Sequence, residues 1–227
     1  MDPAVIVTGA AGALGHAVVA EFLAGGRSVV ALDRPGDRLD GLGAEDGVHA
    51  VPVELSGRAA VQAAFAAVDA LPVTPTALVG LAGGFTPGSL VDVDEDQLSS
   101  LFSSNFGSAL WTAQAAAPRL AAAGGGAIVL VGSKTAVTGR APVVHAASKA
   151  AVVRLTQLLA DELRGDRIRV NAVLPSVIDT PANRTWMSDD LAARAVAPAA
   201  IAKVIAFLCG PDAAPISGAA IPVYGDA

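Results

Sequence analysis

Cysteine is almost absent from this chain: Cys209 stands alone, so no internal disulfide can form, and a reducing cytoplasm suits it. Tyrosine is equally scarce, with Tyr224 the only one, and there are only three lysines and three histidines among 227 residues. His16 and His49 have no partner pattern and read as surface or loop residues, and no Cys/His cluster has the spacing of metal ligands. Basic residues are outnumbered 15 to 21, for a net charge of −6, which argues against a nucleic-acid surface. Mean hydropathy is high at +0.55. Even so, no stretch reaches the roughly 18 uncharged apolar residues of a membrane span, and Ala and Gly carry much of the score. The opening MDPAVIVTGAAG has no basic segment followed by an apolar core, so no secretory signal is expected. Charged residues amount to 16% against 53% hydrophobic, which excludes disorder. The balance predicts a globular, cytosolic enzyme.

What is present is alternation. Strand candidates are AVIVTG from Ala4, SVVALD from Ser28, VHAVPV from Val48, TALVGLAG from Thr76, AIVLVG from Ala127, RIRVNAVLP from Arg167 and AAIPVY from Ala219. These runs are nearly all apolar rather than alternating, as in strands covered on both faces. Ala-rich stretches between them are long enough for crossover helices, which implies a three-layer α/β fold with a doubly wound parallel sheet of about seven strands. Helical periodicity is clear at Leu98, Leu101, Phe102, Asn105, Phe106 and Ala109, predicting one stripe on one helix, and again at Ile201, Val204, Ile205 and Leu208 after Pro198. AAAGGGA at 121–127 reads as a helix end and turn. No repeat or linker divides the chain, so a single domain over 1–227 is expected.

The first strand runs into Thr8-Gly9-Ala10-Ala11-Gly12-Ala13-Leu14-Gly15 and then a helix pattern from Ala17 to Leu23. Glycines there permit a tight turn and bring backbone N–H groups of a helix start up to a pyrophosphate. Asp33 closes the second strand 18 residues after Gly15, where a carboxylate can accept both ribose hydroxyls and repel a 2′-phosphate. NAD(H) is therefore the expected cofactor. Arg34, next in sequence, could hold that phosphate and keeps NADP(H) as the alternative, and the plainer role for Asp33 is to cap a turn.

On these motifs the chain resembles the short-chain dehydrogenase/reductase family over essentially its whole length, which implies a Rossmann fold. Thr8 to Gly15 resembles the family's cofactor loop, although the spacing is Gly-x-x-Gly-x-x-Gly. That spacing, with Ala82-Gly83-Gly84-Phe85 and Leu174 to Arg184, is most similar to the quinonoid dihydropteridine reductase branch; Gly80 and Leu81 stand where most members carry paired asparagines. The resemblance makes Ala82 and Gly83 a backbone floor under the adenosine ribose and puts Pro175, Val177 and Thr180 around the nicotinamide. The family's catalytic group is Asn, Ser, Tyr and Lys. Asn105 matches the first, Ser133 the substrate-orienting serine, and Lys149 the lysine that holds the ribose and lowers the acid's pKa.

The tyrosine is missing: the motif reads His145-Ala146-Ala147-Ser148-Lys149, and Tyr224 matches no catalytic position. Residues four apart share a helix face, so His145 and Lys149 can point into one cleft. An imidazole serves acid/base chemistry, but a neighbouring ammonium disfavours its charged form, making it a better base for alcohol oxidation than acid for ketone reduction. An already protonated substrate such as an iminium would need less acid help. Three readings follow: hydride transfer with His145 and Ser133 handling the proton, dinucleotide binding without turnover as a sensor or partner subunit, and non-redox dehydration or isomerisation. The segment from Ser176 to Ala197 matches a short substrate lid whose Trp186, Met187 and Arg184 predict a partly apolar pocket with one cation. Small residues from Ala146 to Ala151 would let helices pack closely, and the resemblance implies a homodimer or homotetramer.

Overall fold

The computed structural model describes residues 1–55 and 57–226. Seven parallel strands form one sheet: β1 (Asp2–Thr8), β2 (Ser28–Asp33), β3 (Val48–Pro52), β4 (Val73–Gly80), β5 (Gly126–Val131), β6 (Ile168–Pro175) and β7 (Ala220–Val223), in the order β3-β2-β1-β4-β5-β6-β7. Between them lie α1 (Ala13–Ala24), α2 (Asp37–Gly43), α3 (Arg58–Asp69), α4 (Glu95–Phe102), α5 (Ser108–Ala122), α6 (Val143–Glu162), α7 (Pro181–Arg184), α8 (Asp189–Arg194) and α9 (Pro198–Cys209). This is the expected doubly wound α/β architecture.

The apolar runs are explained by two cores, one on each face. Alternate residues of β1 divide between them: Ala4 and Ile6 belong to the core that also holds Phe65 of α3, Ala116 of α5 and Val152 of α6, while Val5 and Val7 belong to the core that holds Phe22 of α1 and Ile201 and Ile205 of α9. A strand buried on both sides has no polar face to show, hence the lack of alternation. Strand order reverses between β1 and β4, and it is outside the carboxyl ends of the strands at such a switch point that a doubly wound sheet opens a crevice.

Two departures from expectation bear on that crevice. TALVGLAG predicts a strand through Gly83, but β4 stops at Gly80. Leu81 N–H still donates to Thr8 O at 3.2 Å, and Ala82 N–H to Thr8 Oγ1 at 3.3 Å. Gly84 is then drawn out of the sheet by Asn105, its N–H donating to Asn105 Oδ1 at 2.9 Å. The stripe beginning at Leu98 predicts one uninterrupted helix, but Ser103–Gly107 form a π-helical turn between α4 and α5. The wider turn shifts the phase of the residues that follow. Asn105, inside the π turn, is 1% exposed, whereas Leu98, in α4 ahead of it, is 47% exposed.

Candidate active site

The cofactor loop is built by close backbone approach. Gly9 adopts φ +68°, and a Cβ on Gly15 would stand 2.2 Å from Gly9 O and 2.4 Å from Ala10 O, so the position admits only glycine. Gly12 is the N-cap of α1 and has no side chain to satisfy the first-turn N–H groups, which leaves that helix end to an anion. Gly9, Gly12, Ala13, Leu14 and Gly15 line a cleft of about 1080 Å³. His16 also reaches its wall, with Nδ1–H donating to Gly12 O at 3.0 Å. Thr8, expected as a cofactor contact, is not among the residues that line the cleft. It is buried beneath the loop, and its hydroxyl straps β1 to Ala82 instead of facing the cleft.

Asp33, at the end of β2, is oriented by two backbone donors: Ala11 N–H reaches Oδ2 at 2.8 Å and Arg34 N–H reaches Oδ1 at 2.7 Å. It shares an adjoining crevice with Arg34, Arg38, Ala82 and Gly83. A glycine-capped helix start, a carboxylate at the end of the next strand and a backbone floor fit a dinucleotide: phosphates at Gly12–Gly15, a ribose at Asp33.

The other end of the cleft gathers Ser133, His145, Lys149, Pro175, Val177 and Thr180. Gly84 is its hub. Its carbonyl accepts from Asn105 Nδ2–H at 3.2 Å and from the His145 ring at 3.3 Å. A carbonyl can only accept, so His145 Nδ1 carries the proton and Nε2 is the ring's lone-pair nitrogen. Asn105 Nδ2–H also reaches Ser148 Oγ at 2.9 Å, and Ser148 donates to His145 O at 2.8 Å, which ties the π turn to α6. The Phe85 ring meets His145 edge-on, 5.0 Å between centroids. Gly83 lies between Asn105 and Lys149: a Cβ there would be 2.6 Å from Asn105 Oδ1 and 3.1 Å from Lys149 Nζ.

Electrostatics follow from this burial. Lys149 is largely buried at the cleft wall, which pushes its ammonium down to about 8; Nζ donates to Val131 O at 2.9 Å. His145 is held below its ordinary value of 6.5, first by desolvation and then by the Lys149 charge, against which the Gly84 hydrogen bond works. Ser133 caps a short turn, with Oγ 2.8 Å from Thr135 Oγ1 and accepting Thr135 N–H at 3.2 Å. Thr180 caps α7 and accepts from Asn183 N–H at 3.1 Å.

Arg184, expected as the pocket's cation, is instead locked to Asp179 by a bidentate pair with contacts of 2.5 and 2.7 Å, and is absent from the cleft wall. The exposed rings of Trp186 and Phe85 do face the cleft, and its cations besides Lys149 are Arg38, Lys134 and Arg140. Phe85, Arg38 and Arg140 sit in loops or at a helix start, where no periodicity marks them. No group of three or more His, Cys, Asp or Glu among the described residues could hold a metal, and no helix among them is long and apolar enough to cross a membrane.

A family model described as short chain dehydrogenase matches residues 3–191. The chain is 30% identical to the 3-oxoacyl-[acyl-carrier-protein] reductase MabA of Mycobacterium tuberculosis, over 97% of this chain and 91% of the relative. It is likewise 30% identical to meso-2,3-butanediol dehydrogenase of Serratia marcescens, over 98% and 93%. Among solved structures, 3-ketoacyl-(acyl-carrier-protein) reductase from Brucella melitensis, complexed with NADH, superposes with a TM-score of 0.90 at 28% identity, covering 98% of this chain and 97% of that one. With the glycine loop, the switch-point crevice and the extent of these matches together, the chain belongs to the short-chain dehydrogenase family of oxidoreductases.

Proposed function

We propose that the protein is an NAD(H)-preferring dehydrogenase that oxidises a small secondary alcohol, with His145 as proton acceptor. The observation that carries this is the contact of His145 Nδ1 with Gly84 O, which holds a proton on Nδ1, while burial and the Lys149 charge disfavour a second proton on the ring. When bound, the dinucleotide supplies the hydride acceptor. The chain's own residues handle the remainder. Ser133 orients the alcohol oxygen, Nε2 of His145 takes the hydroxyl proton, and Lys149 holds the ribose and keeps the ring a base. Asn105 fixes Gly84 and, through Ser148, the start of α6. The same neutral ring favours a second substrate class, an imine already protonated when it arrives, in keeping with the dihydropteridine-reductase-like segments at Gly12–Gly15, Ala82–Phe85 and Leu174–Arg184.

Titration of the protein with NADH and NADPH, followed by nicotinamide fluorescence, tests the cofactor reading. NADH is expected to bind more tightly, and Asp33→Ala to weaken it about tenfold while narrowing the gap to NADPH, because the charged acceptor for the ribose hydroxyls is gone. Equal or tighter NADPH binding by the parent overturns the preference. Binding of neither dinucleotide overturns the whole reading. Binding with no oxidation across a panel of secondary alcohols favours the sensor reading instead.

A further inference from the structure

The main cleft is electrically one-sided. Arg38, Lys134, Arg140 and Lys149 line it, and no Asp or Glu does among its described lining residues, in a chain where acids outnumber bases 21 to 15. The adjoining adenosine end is mixed, with Asp33, Asp37 and Glu54 beside Arg34 and Arg38. A pyrophosphate at the glycine loop accounts for cationic character near Arg38, and a ribose for Lys149. Neither accounts for Arg140. That residue stands on the loop between Ser133 and α6, the helix whose first turn carries His145, and it lines the same cleft as both. Next to Ser133, the Lys134 ammonium is 5.1 Å from the centroid of the Tyr224 ring. Both cations line the same cleft as Ser133 and His145 and lie close to them along the chain.

The wall between is apolar and uncovered. Phe85 is 60% exposed and Trp186 59% exposed, and both rings line this cleft. Aromatic surface exposed in a concave site is surface that a ligand can cover. A guanidinium offers a planar fork of donors that matches a carboxylate, and a cation at the mouth of a cleft without acids concentrates anions there. We infer that the substrate is an organic anion: an alcohol, or its ketone, whose carboxylate or similar oxyanion is bound by Arg140 while an apolar, aromatic-sized segment rests on Phe85 and Trp186. This rests on the reading of Ser133 and His145 as the reacting end.

The test compares oxidation of 3-hydroxy-3-phenylpropanoate with that of its uncharged methyl ester, using the parent and Arg140→Glu at saturating NAD+. The parent should prefer the acid, and its acid-to-ester ratio of kcat/KM should fall about tenfold or more in the variant, mainly through KM. Added salt should shrink the preference. An acid-to-ester ratio unchanged by the substitution overturns the inference. Should neither compound turn over, calorimetric binding of cinnamate and methyl cinnamate to the NADH-loaded protein decides it. Cinnamate binding that Arg140→Glu abolishes sustains the anion site and counts against the dehydrogenase reading. Equal binding of acid and ester, or no binding of either, overturns the anion site and leaves the dehydrogenase reading to its own pH profile.

Discussion

His145→Phe is expected to lower alcohol oxidation by about 10²–10⁴-fold, the usual contribution of a positioned proton acceptor, while NADH binding persists. Phenylalanine is somewhat larger but keeps a flat aromatic ring against Phe85, and Gly84 O retains its bond from Asn105 Nδ2–H at 3.2 Å. What disappears is Nε2. In the parent, kcat/KM should rise with pH as His145 loses its second proton, through a value below 6.5 because burial and Lys149 both disfavour the imidazolium. It should fall again near 8 as Lys149 deprotonates. The lower limb should vanish in His145→Phe. In His145→Tyr the acid/base group titrates far higher, so the limb should move above neutrality and ketone reduction should emerge. A parent profile with only a limb near about 9–10, unaltered by His145→Phe, would sink the assignment.

The shared placement of His145 and Lys149 was legible in sequence because it depends on spacing along one helix. His145 and Lys149 sit four apart on α6, and the helix places both in the cleft as the motif implies. Asn105 was legible for a different reason, being a polar residue on an apolar stripe. Its surroundings were not. The π turn that buries it leaves no mark in a periodicity window, since the residues on either side still look helical, and Leu98 was drawn into a stripe it does not share. The strands were legible because burial on both faces demands uninterrupted apolar runs. The end of β4 was not, because Ala82 and Gly83 are as apolar as the strand, and it is Asn105, distant in sequence, that draws Gly84 away. Arg184 shows the same limit. A lone arginine in a lid reads as a ligand-facing cation until tertiary structure pairs it with Asp179, only five residues earlier. Thr8 lies in the cofactor motif, yet its hydroxyl is used one layer down, bracing Ala82.

Lys149→Met should yield a protein that is more stable and nearly inactive. Burial lowers the lysine from 10.5 to about 8, so carrying the ammonium inside the fold at neutral pH costs about 3 kcal/mol relative to the unfolded chain. The sign follows from proton counts. Between about 8 and 10.5 the unfolded chain holds a proton that the folded one has released, so parent stability rises with pH through that window. Methionine fills similar volume without the charge, offset by about 1 kcal/mol for the lost hydrogen bond to Val131 O. A net gain of about 2 kcal/mol corresponds to a melting temperature roughly 4–8 °C higher for a chain of this length. Thermal melts of both proteins across pH separate this from generic repacking, because the gap should hold below pH 8 and close as pH approaches 10.5. A gap independent of pH would mean that the ammonium carries no such penalty. Turnover should fall about 10²–10³-fold, as for loss of a preorganised electrostatic contact. The residual activity carries a further signature. Without the Lys149 charge the His145 limb should climb toward 6.5 but stop short of it, since desolvation, the larger cause of its depression, remains. A buried lysine that weakens the fold while keeping its neighbour a base is the stability–activity conflict expected where a site is shaped for chemistry.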